Sequence, residues 1–517
     1  MTPTLPDKLR SAARALAGTP IAELFARDPE RVERLSVDAL GFRADLSKER
    51  LSPEALAGLC EHAREAGLAG WIAALLAGEK VNVSEKRPAL HPRMRDDADA
   101  DTLASRQAVA ALADAVRRGE RRGASGSPFA HVVHLGIGGS DLGPRLVVDA
   151  LGPAHDERAP GVSFVANVDP AALDRALAPL DAATTLFVIA SKSFTTQETL
   201  TNASAARAWL AAALPSGADP GAHFVAATAN PGAARAFGVP DTAILPFPEG
   251  VGGRFSLWSS VGVTIALALG NEAHAALLAG AHAMDRHFAT APFERNLPVV
   301  LALAGVWNAS ALGYRQRVVV PYAHALGVFA SYLQQLSLES NGKRVTRDGS
   351  PVEGRTAPAL WGGVGTDGQH AFFQWLHQGT DVVPVEFVVP AAPVRGDRGR
   401  HALLVANALA QAQALAFGRA TPDAARASPG DRPSTTLVTP ALDARTLGAL
   451  CALYEHRTFV EGILWGINPF DQFGVELGKI LAGPIAEALD GRGDLAGADA
   501  STRALVGYIR SRLAPAG

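Results

Sequence analysis

From about residue 125 onward, short apolar runs alternate with amphipathic stretches, and the junctions are polar or glycine-rich. HVVHLGIGGSDLGPRLVVDAL (131–151) reads as a strand, a tight turn and a helix. GVSFVANV (161–168) and HFVAATA (223–229) predict further strands, and TTLFVIASKSFTTQETLTNASAARAWL (184–210) repeats the strand, polar turn, helix pattern. The pattern resumes in RVVVPYAHALGVFASYLQQLSLESNGK (317–343) and TAPALWGGVGTDGQHAFFQWLHQGT (356–380). VPVEFVVP (383–390) and TTLVTP (435–440) predict strands, and a long helical region spans 441–489 with a break at 466–469. Strands alternating with helices predict two α/β units, each a mainly parallel sheet covered on both faces. In such folds ligands sit at the carboxyl ends of the strands, where the polar turns fall.

The first hundred residues predict helix and connection. Apolar residues recur at helical spacing through 52–79, GEKVNVSEKRPALHPRMR (78–95) reads as an ordered polar loop, and 99–120 reads as an amphipathic helix. The nearly uncharged stretch 296–314 contains Pro298, Asn308 and Ser310, so a buried helix is expected there rather than a membrane span. The chain has 517 residues, 48% hydrophobic and 19% charged, which is material for two domains with large cores. Its formal net charge of −3 gives no electrostatic footprint for nucleic acid or an anionic membrane. Any anionic ligand must therefore be held by a local site. Two cysteines, Cys60 and Cys451, cannot make a disulfide framework for a chain of this size. The opening MTPTLPDKLR lacks the apolar segment of a secretion signal, so a reducing, cytoplasmic setting is expected.

Six motifs carry candidate chemistry. GIGGSDLGP (136–144) allows close backbone approach to a ligand at a helix N-terminus. A dinucleotide fingerprint needs glycine where Asp141 stands, which weakens a dehydrogenase reading. SKSFTTQET (191–199) offers the hydroxyls of Ser191, Ser193, Thr195 and Thr196 with the ammonium of Lys192, a good cradle for a phosphate dianion; the plainer alternative is a helix cap. VGGRFSLWSSVG (251–262) places Arg254 after two glycines, either to stabilise charge developing on oxygen or to make a structural salt bridge. QQLSLESNGK (334–343) sets Glu339 among apolar and neutral residues near a helix end. That setting suits a general base, although a solvated helix-end glutamate is the commoner case. GTDGQHAFFQWLHQG (365–379) places His370 at a turn entering a helix, without a spacing partner for a metal. In GILWGINPFDQFGVELGK (462–479), breaks at Gly466, Pro469 and Gly474 predict irregular backbone around Gln472 and Lys479. Lysine is scarce: seven, against 41 arginines, and Lys192, Lys343 and Lys479 fall within these motifs. A retained lysine suggests a need for an ammonium specifically.

The combination and order of these motifs resemble the glucose-6-phosphate isomerase family over nearly the whole chain, from 78–95 to VELGK. GGRFSLWSSVG and GINPFDQFGVELGK are the most specific stretches, and QQLSLESNGK and SKSFTTQET also match strongly. Ser193 stands where that family commonly has threonine, and the stretch around Lys86, Pro92 and Arg93 departs from the usual pattern.

The resemblance implies two sugar-isomerase-type (SIS) domains, a small one over 106–275 and a large one over 276–490. A helical N-terminal segment (1–105) and a C-terminal tail (491–517) would flank them. It implies a homodimer with shared active sites acting on glucose 6-phosphate and fructose 6-phosphate in glycolysis and gluconeogenesis. No metal or other cofactor is implied. Gly139, Ser140, Ser191, Lys192, Ser193 and Thr196 would bind the substrate phosphate. Glu339 would be the base that moves a proton between C1 and C2. Lys479, and His370 reaching in from the partner subunit, would assist ring opening, with Glu198 orienting the histidine. Arg254 would stabilise the enediolate, and Gly253, Gln335 and Gln472 would shape the site. A phosphosugar-binding regulator and an isomerase of another phosphosugar remain the alternatives.

Overall fold

The computed structural model describes residues 5–152 and 159–513. It divides into two units, Met1–Pro469 and Phe470–Gly517. The first unit holds two sheets. Strands β1 (Ser36–Ala39) and β2 (Phe42–Asp45) form a hairpin near the N-terminus. Strands β3 (His131–Leu135), β4 (Gly161–Val165), β5 (Thr185–Ala190), β6 (Phe224–Thr228) and β7 (Ile244–Pro246) form one sheet in the order β4-β3-β5-β6-β7, parallel throughout. Strands β8 (Gln316–Pro321), β9 (Ala359–Gly362), β10 (Val385–Pro390) and β11 (Ser434–Thr439) form the parallel part of a second sheet, β1-β2-β11-β10-β8-β9.

Every residue of β5, β6 and β10 is buried. With helices on both faces, both alternating rows of side chains must be apolar or satisfied, which is why these strands read as nearly continuous apolar runs, with Glu386 in β10 a buried and paired exception. In each sheet the strand order reverses once, between β3 and β5 and between β8 and β10. Such reversals splay the connections apart and leave a crevice at the carboxyl ends.

The hairpin β1–β2 departs from the expectation of helix and connection for the first hundred residues. Its strands have four residues each, too short for alternation to stand out, yet Val37, Phe42 and Ala44 are buried. Leu40 and Gly41 both take positive φ, the turn geometry that joins two antiparallel strands tightly. β2 then pairs antiparallel with β11 at the edge of the second sheet.

The stretch 296–314 contains the helix Leu297–Val306, in which every residue is buried. Among the described residues, no helix is long and apolar enough to cross a membrane. Both cysteines are free and buried. The helix Ala444–Leu464 is buried from Thr446 onward and packs along the helix Asn271–Thr290. Two glycines permit this. A Cβ on Gly280 would overlap the Arg445 carbonyl, and one on Gly448 would overlap the Leu277 carbonyl. Backbone therefore packs on backbone along this seam. Gly448→Ala is expected to cost about 1–3 kcal/mol through overpacking. Gly70→Ala, in the helix Leu68–Leu76 with nothing within 4 Å of the new methyl, is expected to stabilise by about 0.4–1 kcal/mol. Chemical denaturation of the two variants checks the opposite signs.

Candidate active site

Neighbouring strands β3 and β5 run parallel and release their turns at the same end. The turn after β3 leads into the helix Gly139–Leu151, and the turn after β5 into the helix Gln197–Ala213, with Thr196 at its N-cap position. Two helix N-termini thus converge beside Ser140 and residues 191–196, where the helix dipoles favour an anion. Ser191 is buried and its hydroxyl lies 3.2 Å from that of Thr196. Ser193 is exposed and accepts from the Thr195 hydroxyl at 2.7 Å. Lys192 Nζ donates to the Glu249 carbonyl at 2.5 Å. Burial and the nearby Arg87 guanidinium pull its pKa down to about 8.

The glycine-rich turn is fixed from below by His134. Its Nε2 donates to the Ser140 carbonyl at 2.6 Å, and its Nδ1 then accepts from Thr264 at 2.7 Å. Burial lowers the His134 pKa to about 4, so the ring stays neutral in this role. The turn is fixed from the side by a second glycine turn. A Cβ on Gly139 would overlap the Gly253 carbonyl, whereas a Cβ on Gly253 would meet open space. A Cβ on Gly138 would come within 2.8 Å of Gln335 Nε2. Gly138, Gly139, Gly253 and Gln335 are therefore brought to one place.

Arg254 follows Gly253 and is buried. It donates to Ser340 Oγ at 2.6 Å and to the Pro469 carbonyl at 2.7 Å, and its Nη1 stands 3.4 Å from Glu339 Oε2. Glu339 Oε2 also accepts from Gln335 Nε2 at 3.2 Å. The sequence predicts apolar and neutral surroundings for this carboxylate; the structure sets a buried guanidinium against it. Residues Gln335–Glu339 form a π-helical turn, a wide form of helix common at functional sites. Lys343 closes the helix end, donating to the carbonyls of Glu339 at 2.6 Å and Ser340 at 3.0 Å.

Beneath Arg254 lies a buried ion cluster that sequence reasoning missed. Arg95 grips both oxygens of Asp285 at 2.6 and 2.7 Å and donates to Glu455 at 2.6 Å. Trp258, four residues after Arg254, donates to the other Glu455 oxygen at 2.7 Å and lies under the Arg95 guanidinium. His456 Nε2 pairs with Asp285 at 2.7 Å, and His91 stacks on Phe255. Burial pushes the Glu455 carboxyl up to about 7 against the opposing pull of Arg95. Ionisable residues inside an otherwise apolar helix, YEHR at 454–457, were the available signal.

Other candidates stand apart. Glu198 is half-buried in the first turn of Gln197–Ala213, while His370 is exposed at the end of the 3₁₀ turn Asp367–His370. No hydrogen bond or ion pair joins His370 to Glu198 or Glu339 among the described residues. Gln472 and Lys479 belong to the unit Phe470–Gly517. Gln472 precedes the 3₁₀ turn Phe473–Val475. Lys479 is exposed on the regular helix Glu476–Leu489, not on the irregular backbone the sequence suggests: after Gly474 nothing stops helix formation until Pro484, which the helix absorbs.

Two parallel sheets with polar turns at their carboxyl ends, one lined for an anion and one adjoining a carboxylate–guanidinium pair, define an α/β protein of the sugar-isomerase type. The family model described as phosphoglucose isomerase matches residues 45–506. A glucose-6-phosphate isomerase of Aromatoleum aromaticum is 49% identical over 500 residues, covering 92% of this chain and 91% of that protein. One of Dechloromonas aromatica is 44% identical over 515 residues, covering 97% and 98%. The crystal structure of a glucose-6-phosphate isomerase from Chlamydia trachomatis superposes with a TM-score of 0.86 at 33% identity, covering 98% of both chains. The chain belongs to the phosphoglucose isomerase family.

The contact between the two glycine turns predicts an asymmetry. Gly139→Ala must push the Gly253 backbone away and is expected to lower the melting temperature; Gly253→Ala is expected to leave it unchanged. Thermal unfolding of both variants measures the difference.

Proposed function

We propose that the protein interconverts glucose 6-phosphate and fructose 6-phosphate through ring opening and a cis-enediol(ate). The observation that carries this reading is the Glu339 carboxylate held 3.4 Å from the buried Arg254, beside the Gly139–Gly253 contact. The reaction needs a base that takes a proton from one carbon and returns it to its neighbour, and a fixed cation for the enediolate charge. Glu339 and Arg254 fill these roles. Ser140, Ser191, Lys192, Ser193 and Thr196 bind the phosphate, which does no chemistry but places the reacting carbons. Gly253 and Gln335 shape the sugar site, together with Gln472. Lys479 and the partner subunit's His370 open the ring, with Glu198 orienting the histidine. This reading includes a homodimer, in which the exposed His370 reaches the partner's site. It takes 106–275 and 276–490 as the two functional domains, and a cytoplasmic enzyme of glycolysis and gluconeogenesis as the setting.

An assay of fructose 6-phosphate conversion tests the reading. Glu339→Gln is expected to lower turnover by about 10²–10⁴ with substrate binding largely kept. Near-normal turnover would remove the base from the scheme. In heavy water the product should carry deuterium at C1 or C2, as a proton shuttle requires.

Lys192 supplies a second test. Above pH 8 its amine is mostly neutral in the free protein, whereas a bound dianion favours the ammonium. Binding must then load a proton, so affinity for the sugar phosphate should fall as pH rises from 8. Calorimetry at pH 8.5 in buffers of different ionisation heat should show proton uptake, absent in Lys192→Met.

A further inference from the structure

The helix end carrying Glu339 is held by a second buried ion cluster. Arg317, on β8, donates to Glu461 Oε1 at 2.9 Å through Nη1 and to Ser337 Oγ at 3.3 Å through Nη2. Glu461 Oε1 also accepts from Arg457 Nε at 3.0 Å, and Glu461 Oε2 lies 3.4 Å from Asn341 Nδ2. Asn341 Nδ2 donates further to the Thr458 carbonyl at 3.0 Å. Arg457 pairs in turn with Glu386, which accepts from the Tyr454 hydroxyl. Gly305 closes the remaining side: a Cβ there would overlap Glu461 Oε1. Arg317, Ser337, Asn341 and Glu461 are all buried.

Ser337 precedes Glu339 by two residues and Asn341 follows it by two, so one carboxylate, Glu461, is tied to both flanks of Glu339. Ser337 lies within the π-helical turn Gln335–Glu339, and Asn341 follows two residues after its end. An extra residue in a helical turn rotates every following side chain by about 100°, which changes where Glu339 points. Nothing in QLSLE itself demands that form over an α-helix.

We infer that Arg317 and Glu461 are positioning residues. Acting through Ser337 and Asn341, they hold the π-turn and so fix the aim of Glu339 at the carbon-bound proton. Neither touches substrate. The inference rests on the reading of Glu339 as the base.

Ser337→Ala is the light test, because it removes one hydroxyl and leaves the Arg317–Glu461 pair intact. Turnover of glucose 6-phosphate should fall about 3- to 10-fold with KM little changed. The primary isotope effect with substrate deuterated at C2 should rise, since misaiming slows the proton step and no other. A purely structural role would lower the melting temperature and leave the isotope effect where it was. Arg317→Met should show the same signature, and adding Ser337→Ala to it should cost nothing further, because the two act in series. An unchanged isotope effect in Ser337→Ala, or losses that multiply in the double variant, would overturn the inference. Glu339→Gln run alongside separates the two levels. If it is inactive while Ser337→Ala behaves as the parent, only the positioning role fails. If it turns over normally, the base reading fails and takes this inference with it.

Discussion

Backbone contact between two glycine turns governs the site. Gly139 sits so close to the Gly253 carbonyl that no side chain fits between them. That closeness brings the helix N-terminus after β3 against the turn carrying Arg254, and Arg254 against Glu339 and Ser340. The anion cradle comes from one sheet and the carboxylate from the segment after β8. A side chain on Gly139 would add its own width to the gap between the two turns. Geometry of this kind has to hold to a fraction of an ångström for proton transfer.

Behind that contact, the helix Ala444–Leu464 organises the turns carrying Arg254 and Glu339 from within the core. Glu455 holds Trp258 and Arg95 below the Arg254 turn, and Glu461 holds Arg317 and Asn341 beside the Glu339 turn. Burying charges is costly unless each is paired and hydrogen-bonded, and hydrophobic replacements of equal volume often match or exceed such pairs in stability. Arg95 meets that condition with five-donor geometry matched to two carboxylates. These clusters are better understood as devices of shape: a planar fork admits few arrangements, whereas an apolar contact admits many.

Much of the architecture was legible in the sequence. Buried parallel strands are long apolar runs with polar turns between them, and β3, β5, β6, β8, β10 and β11 all stand where that pattern puts them. β1 and β2 were not legible, because four-residue strands carry too little alternation. The motifs around Gly139, Ser191, Arg254 and Glu339 were legible because unusual residue types cluster there. Their mutual placement was not, since it depends on contacts between residues far apart in the chain, such as Gly139 with Gly253 and Arg254 with Glu339. The Arg95 and Arg317 clusters were hidden for a related reason. A lone buried charge in an apolar helix has no local partner, and its meaning lies in what packs against it. The surroundings of Glu339 show the same limit: its neighbours in sequence are apolar and neutral, and its decisive neighbour in space is Arg254.

The hairpin at the start of the chain has a consequence for how the molecule is made. Ala44 of β2 pairs with Leu437 of β11, so β2 leaves the ribosome long before its ladder partner is made. Until then β2 is an unpaired edge, and unpaired edges invite the wrong partner. The sheet of β3–β7 can assemble from a contiguous stretch of chain, but the second sheet can complete only once β11 has been made. The order of assembly follows: the sheet of β3–β7 can stand first, and the sheet whose β8 leads to Glu339 closes last.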